Sequence, residues 1–129
     1  MTSRIILAAG SVTGMLAVMT GAFGAHGLKD LLTATGRIET FNLAVEYQFY
    51  HTLALMVTGI LSIYAPSKKF TYAAVSFIAG IIFFSGSLYF LALLNKPILG
   101  AITPIGGVCF ILGWLLLFLG VLQNKKALL

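Results

Sequence analysis

The run Glu46-Tyr47-Gln48-Phe49-Tyr50-His51 enters an apolar stretch, Thr52-Leu53-Ala54-Leu55-Met56-Val57, with no turn-forming residue between them. Polar and ionisable groups in such a setting are costly, commonly face the interior of a helix bundle, and mark a functional position by default. The run therefore points to a membrane as the place of action. It carries no signature of a particular reaction or ligand.

Composition agrees. Of 129 residues, 60% are hydrophobic and 9% charged, more apolar surface than a water-soluble domain of this size could bury. A span takes about 20 mostly apolar residues, and four such blocks use most of the chain, leaving one membrane domain over residues 1–129. The net charge of +5 is carried at the ends of the apolar blocks. Basic residues there act as topology signals and anchors for anionic lipid, not as a nucleic-acid surface. Cys109 is the single cysteine and lies inside an apolar block, which excludes an intrachain disulfide and reads as a small packing residue. The first block looks superficially like a secretory signal. Its apolar run, Ile5 to Ala25, exceeds the usual core of roughly 7–15 residues, and Phe23 stands where cleavage before His26 would need a small side chain. It is expected to be a retained helix.

The expected architecture is all-α, an integral membrane four-helix bundle with spans at residues 5–25, 37–64, 70–94 and 98–122. A short interfacial helix carrying Leu28, Leu31 and Leu32 lies between the first two spans and stops near Gly36. In the first span Gly10, Gly14, Ala17, Gly21 and Gly24 form one stripe, and in the last Gly106, Gly113 and Gly120 recur every seven residues. Small residues in phase allow the close backbone approach by which membrane helices pack. Pro66 ends the second span and Ser67 can cap the third, which makes these two antiparallel neighbours. Thr103-Pro104 reads either as a helix start or as a kink. With four spans both termini share a side with Arg4, Lys68, Lys69, Lys125 and Lys126, against Lys29, Arg37 and Lys96 opposite. That excess predicts cytoplasmic termini and a multi-pass protein of the cell membrane.

Alternating helix direction brings the unusual residues to one leaflet, the one bounded by the first and third loops. The candidate polar cluster comprises His26, Glu46, Tyr47, Gln48, Tyr50, His51, Ser85, Ser87, Tyr89 and Thr103. At about 100° per residue, Asn42, Glu46 and Tyr50 share one face of the second span, Tyr47 and His51 a second, and Gln48 and Thr52 a third. Glu46 and His51 are thus about 140° apart and must find partners on other helices. Glu46 is either a proton carrier or ligand, or a structural carboxylate bonded to a hydroxyl or to Lys29 or Arg37. His26, His51 and Glu46 are acceptable ligand types, but no His-x-x-x-His spacing supports a metal or haem site. Ser85 and Ser87 have no nucleophile-elbow context, and phosphate-loop and dinucleotide fingerprints are absent.

Four runs resemble a known family: Gly21-Ala22-Phe23-Gly24-Ala25-His26; Glu46-Tyr47-Gln48 with His51-Thr52-Leu53-Ala54-Leu55; Phe84-Ser85-Gly86-Ser87-Leu88-Tyr89; and Thr103-Pro104-Ile105-Gly106-Gly107 with Gly113-Trp114. Together they resemble the YgdD/YwdK-type family of small membrane proteins, in the same order over nearly the whole chain. The resemblance implies a four-helix integral membrane protein and brings no activity, cofactor or catalytic residue with it. The leading expectation is a structural or accessory subunit with no enzymatic activity and no cofactor, bound to itself or to another membrane protein. The alternative is a binder or carrier of a lipid, quinone or small polar solute at the polar cluster.

Overall fold

The structure is a computed structural model that describes residues 1–124. Lys125 and Lys126, read above as an anchor, lie outside the described residues. Helix α1 (Ser3–Ala25) starts on Thr2, whose side chain accepts from the Ile5 N–H. A short helix α2 (Lys29–Ala34) follows, and Gly36, at φ +68°, makes the left-handed turn into α3 (Ile38–Tyr64). Pro66 lacks an N–H and disfavours helix in the residue before it, so α3 stops at Tyr64. Ser67 caps α4 (Lys68–Gly80) by accepting from Lys69. A π-helical turn (Ile81–Gly86) joins α4 to α5 (Ser87–Leu94), making one continuous rod of 27 residues that ends at a left-handed Asn95. A 3-10 turn (Pro97–Ala101) then leads into α6 (Thr103–Gln123).

Two boundaries differ from the sequence expectation. Residues 97–101, at the start of the last span, are 3-10 rather than α-helical, because Pro97 opens a separate turn and Pro104, with no N–H to offer, is suited to the first turn of an α-helix beginning at Thr103. The 70–94 span is interrupted by the π turn. A π turn carries one residue more than an α turn, so the side chains after it are rotated by about 100° relative to an unbroken helix. The rotation has a visible result. Upstream, Phe70 and Phe77 are buried facing α6; downstream, Leu88, Leu91 and Ala92 are buried on the side of α3 and the 3-10 turn.

The helices pack in series, α1 on α3, α3 on the α4–α5 rod, and the rod on α6. Three helical segments, Ser3–Ala25, Lys68–Leu94 and Pro97–Gln123, are long and apolar enough to cross a membrane. Helix α3 is as long as the rod, but its first half carries Asn42, Glu46, Gln48 and His51, which keep it from joining those three. Outward-facing Val12, Met15, Val18 and Phe23 of α1 and Ile105, Val108, Ile111 and Phe118 of α6 leave a broad apolar surface for lipid.

The small residues sit in the seams between these layers. On α1, a Cβ added at Gly10, Gly14, Gly21 or Gly24 would meet Met56, Thr52, Val45 or Phe41 of α3, and Ala17 is fully buried. On the other side, a seven-residue repeat of glycine on α6 meets a seven-residue repeat of phenylalanine on the rod. Running antiparallel, Gly120 receives Phe70, Gly113 receives Phe77 and Gly106 receives Phe84, while Phe110 returns the contact into Gly80. At Gly113 an added Cβ would stand 2.6 Å from the Phe77 ring, which is a flexible obstacle. At Gly106 it would fall on the backbone nitrogen of Phe84, inside the π turn, which cannot step aside.

This contrast gives a direct test by thermal unfolding in detergent. Gly106→Ala should lower stability by about 1–3 kcal/mol or more through overpacking. Its neighbour Gly107, whose added Cβ would meet nothing within 4 Å, should tolerate alanine or gain up to about 1 kcal/mol of helix propensity.

Candidate functional site

The polar residues of α3 divide by face, and each face meets a different neighbour. Gln48 is buried toward α1 and α5. Its amide Nε2 donates to the Thr13 carbonyl at 2.9 Å, and its Oε1 accepts the Tyr89 hydroxyl at 2.8 Å. The Tyr89 hydroxyl, its one proton given to Gln48, also lies 3.1 Å from Thr20 Oγ1, whose own proton is shared with the Leu16 and Ala17 carbonyls at 3.0 and 3.1 Å. One turn further along α3, Thr52 donates to Thr13 Oγ1 at 3.0 Å, and Thr13 passes its own proton to the Gly10 carbonyl at 3.0 Å. These side chains form a connected network that ties α1, α3 and α5 together.

His51, about 60° around the helix from Gln48, turns toward α4 and α6 into an aromatic stack. Its ring lies nearly parallel to Phe110, 3.4 Å between centroids at 9°, with Phe77 and Tyr47 also beside it. Tyr47 in turn stacks on Phe84 at 4.5 Å. Nδ1 lies 2.8 Å from the Tyr47 carbonyl, and Trp114 Nε1–H donates to Nε2 at 3.3 Å. A carbonyl requires a proton on Nδ1 and an indole N–H requires a lone pair on Nε2, so the ring is the neutral Nδ1–H tautomer. Both nitrogens are used. His51 therefore has no lone pair free for a ligand and serves as a polar clasp between α3 and α6. Among the described residues no three His, Cys, Asp or Glu side chains converge as metal ligands would.

A third pairing closes the α5–α6 junction. Ser87 donates to the Phe84 carbonyl at 3.0 Å and accepts from Thr103 Oγ1 at 2.7 Å. Thr103 thus stands inside the first turn of α6 rather than capping it, because its hydroxyl is engaged across the interface. Ser85 is fully buried in the π turn and is the one buried side-chain polar atom without a partner among the described residues.

The remaining candidates lie apart from these networks. Glu46 is exposed on the outer face of α3 with Asn42 and Tyr50, and makes no hydrogen bond or ion pair among the described residues. Arg37, considered above as its counter-ion, instead donates to Asn95 Oδ1 at 2.9 Å. His26 is exposed at the end of α1, where its backbone N–H closes the last turn on Ala22. The single cluster expected from depth alone is thus three separate networks, the lone buried Ser85, and the peripheral His26, Glu46 and Tyr50. Depth follows from position along the chain, whereas the direction in which a side chain points depends on which faces pack. Thr13, Thr20, Phe77, Phe110 and Trp114 were not nominated from sequence. Thr13 and Thr20 stand next to the α1 glycine stripe, and that adjacency is the signal that would have found them.

Two stability predictions follow from these bonds. Tyr89→Phe strands Gln48 Oε1 and should cost about 1–3 kcal/mol, while a double-mutant cycle of Tyr89→Phe with Gln48→Leu should return a coupling of about 0.6–1.7 kcal/mol. Ser85→Ala should be neutral or stabilising, since it removes an orphaned hydroxyl whose burial costs about 1–3 kcal/mol. Reversible unfolding in mixed detergent micelles measures both.

Comparison with known proteins places the chain. The family model described as "Protein of unknown function (DUF423)" matches residues 20–107. A UPF0382 membrane protein of Staphylococcus epidermidis is 48% identical over 120 residues, spanning 93% of this chain and 97% of its own length. The UPF0382 inner membrane protein YgdD of Escherichia coli K12 is 38% identical over 128 residues, 98% of this chain and 95% of its own. No solved structure matches. The polar residues Gln48, His51, Thr52, Ser87, Tyr89 and Thr103 fall within the matched region, and the chain belongs to the DUF423 family of membrane proteins, the YgdD type.

Proposed function

We propose that this protein crosses the cell membrane four times, through α1, α3, the α4–α5 rod and α6, and works as a structural or accessory subunit without enzymatic activity. One observation carries this reading. Gln48, His51 and Thr52 of α3 are bonded to neighbouring helices, whereas Glu46 lies unpartnered among the described residues on the outward face. A carboxylate on a lipid-facing surface is costly and calls for a partner from outside the chain. Asn42 and Tyr50 stand one turn to either side of it on the same face. Both offer donors on the face that carries the acceptor, the chemistry a second copy or another membrane helix would present to the carboxylate.

Span number rests on the inward turn of the α3 polar groups. Gln48, His51 and Thr52 lower the hydropathy of α3, yet they are buried and satisfied inside the protein, which leaves Leu53, Val57, Ile60 and Ile63 facing out. With four spans, Arg4, Lys68 and Lys69 share the end that holds both termini, which favours placing that end in the cytoplasm.

A second reading, a binder of a lipid or quinone, is favoured by an apolar groove of about 330 Å³ between α1 and α5, lined by Thr20, Phe23, Leu28, Tyr89, Phe90 and Leu93 among others. Its lining suits a hydrocarbon or isoprenoid chain and not a small polar solute.

Native mass spectrometry of protein released from its own membrane in mild detergent separates the two readings. The first predicts a dimer or a defined complex that falls apart in Glu46→Leu while helix content by circular dichroism stays unchanged. A monomer in the unsubstituted protein overturns it, and a monomer that retains an extractable isoprenoid or lipid supports the second reading.

A further inference from the structure

At the end of the bundle opposite the polar networks, two helix N-termini open into one groove. Thr2 and Ser3 begin α1, Ser67 and Lys68 begin α4, and Thr71 Oγ1 reaches across to the Met1 carbonyl at 3.4 Å. The groove between them measures about 440 Å³. Its floor includes Ser62, near the end of α3, which is only 8% exposed and bonds nothing among the described residues. Ser62 Oγ is absent from the fully enclosed orphans, so what remains accessible of it opens into the groove.

The ends of α1 and α4 bring hydrogen-bond donors to the lining. The backbone N–H groups of Ser3, Arg4, Lys68 and Phe70 make no hydrogen bond among the described residues, as expected in a first helical turn. Thr2 and Ser67 use their side-chain oxygens as acceptors for Ile5 and Lys69, which leaves both hydroxyl protons free to donate outward. Arg4, Lys68 and Lys69 add positive charge, and the chain's three acidic residues, Asp30, Glu39 and Glu46, all lie at or toward the other end. Free N–H groups, two aligned helix dipoles and an excess of cations together make a site for an oxyanion.

We propose that this groove binds the phosphate of an anionic membrane lipid. Helices long enough to span the bilayer end at headgroup depth, so the oxyanion that meets these two N-termini is the phosphodiester of a lipid in that leaflet. Ser62, Ser3 and Lys68 contact its oxygens, and the acyl chains run down the apolar exterior of α1 and α4. The site shares with the preceding reading the requirement that the helices cross the membrane, and it is independent of any pairing through Glu46. A monomer that selects anionic lipid supports this assignment and overturns the other.

The test is lipid competition on the full chain in nanodiscs containing equal amounts of phosphatidylglycerol and phosphatidylcholine with identical acyl chains, with retained lipid counted by native mass spectrometry. Phosphatidylglycerol is retained in preference. Lys68→Ala reduces that retention roughly fivefold, the worth of one basic residue at a membrane surface. Ser62→Val also reduces it, and Lys96→Ala at the opposite end leaves it unchanged. Lys68 is exposed, so its replacement leaves the fold intact. Equal retention of the two lipids, or an equal loss in Lys96→Ala, overturns the assignment. A further arm adds inorganic phosphate to lipid-free protein in detergent. Thermal stabilisation by phosphate equal to that by phosphatidylglycerol, and lost in Lys68→Ala, identifies the ligand as a free anion and overturns the lipid.

Discussion

A polar side chain carried into a bilayer has no water to bond, so its partner must be supplied by another helix or the helix cannot stay there. The organisation of this protein depends on that constraint at Gln48. An amide offers donors and an acceptor at one point, and here the donor takes the Thr13 carbonyl while the acceptor takes the Tyr89 hydroxyl. One residue thereby locates α1 and α5 against α3. The network extends through Thr52 and Thr20, so that sliding α1 along α3 by a single turn would break several bonds at once. The apolar contacts alone would not forbid such a slide, because lipid tails compete with them on nearly equal terms.

Close packing supplies the rest. Between α1 and α3 the small residues lie mainly on α1, and between the rod and α6 mainly on α6, so the outer helices are the ones shaped to receive. Phenylalanines at 70, 77 and 84 and glycines at 106, 113 and 120 share a period of seven, the period that keeps two nearly parallel helix axes in contact over many turns. The π turn is where this register ends. Phe84, within it, is the last of the series, and beyond it the rod has rotated so that Ser87 meets Thr103 and Leu88 and Leu91 face α3. The rod can therefore serve two neighbours in succession without bending away from either.

Much of this was legible in the sequence because helical phase is arithmetic. The three faces of α3 were separable from residue spacing, as was the glycine stripe of α1, and Pro66, Ser67 and Gly36 mark boundaries by local chemistry that no tertiary contact overrides. Three things were not legible. The π turn has no compositional signal in Ile81–Gly86, since the extra residue is accommodated by packing around Phe84 and Gly106 and not by any propensity of its own. The engagement of His51 by Trp114 joins residues 63 apart in sequence on helices whose mutual rotation only the packed structure defines. Inward and outward were also not legible: Glu46 and Gln48 were both expected in the polar cluster, and only Gln48 is buried there, with Glu46 on the outer face.

That difference follows from energetics. A neutral amide can be satisfied inside a narrow bundle by one carbonyl and one hydroxyl, and the helix backbone and a tyrosine supply both. A carboxylate in the same position would need cationic or multiple donors, and the interior among these helices offers hydroxyls already committed and a histidine held neutral by its two bonds. Excluded from the interior, Glu46 points from the outer face of α3, about 12 Å along the helix from Ile38 at 1.5 Å per residue. Side chains on a helix lean toward its N-terminus, which here is the nearer end of α3. The same residue spacing that sends Gln48 inward therefore sends Glu46, two residues earlier and about 160° away around the helix, outward.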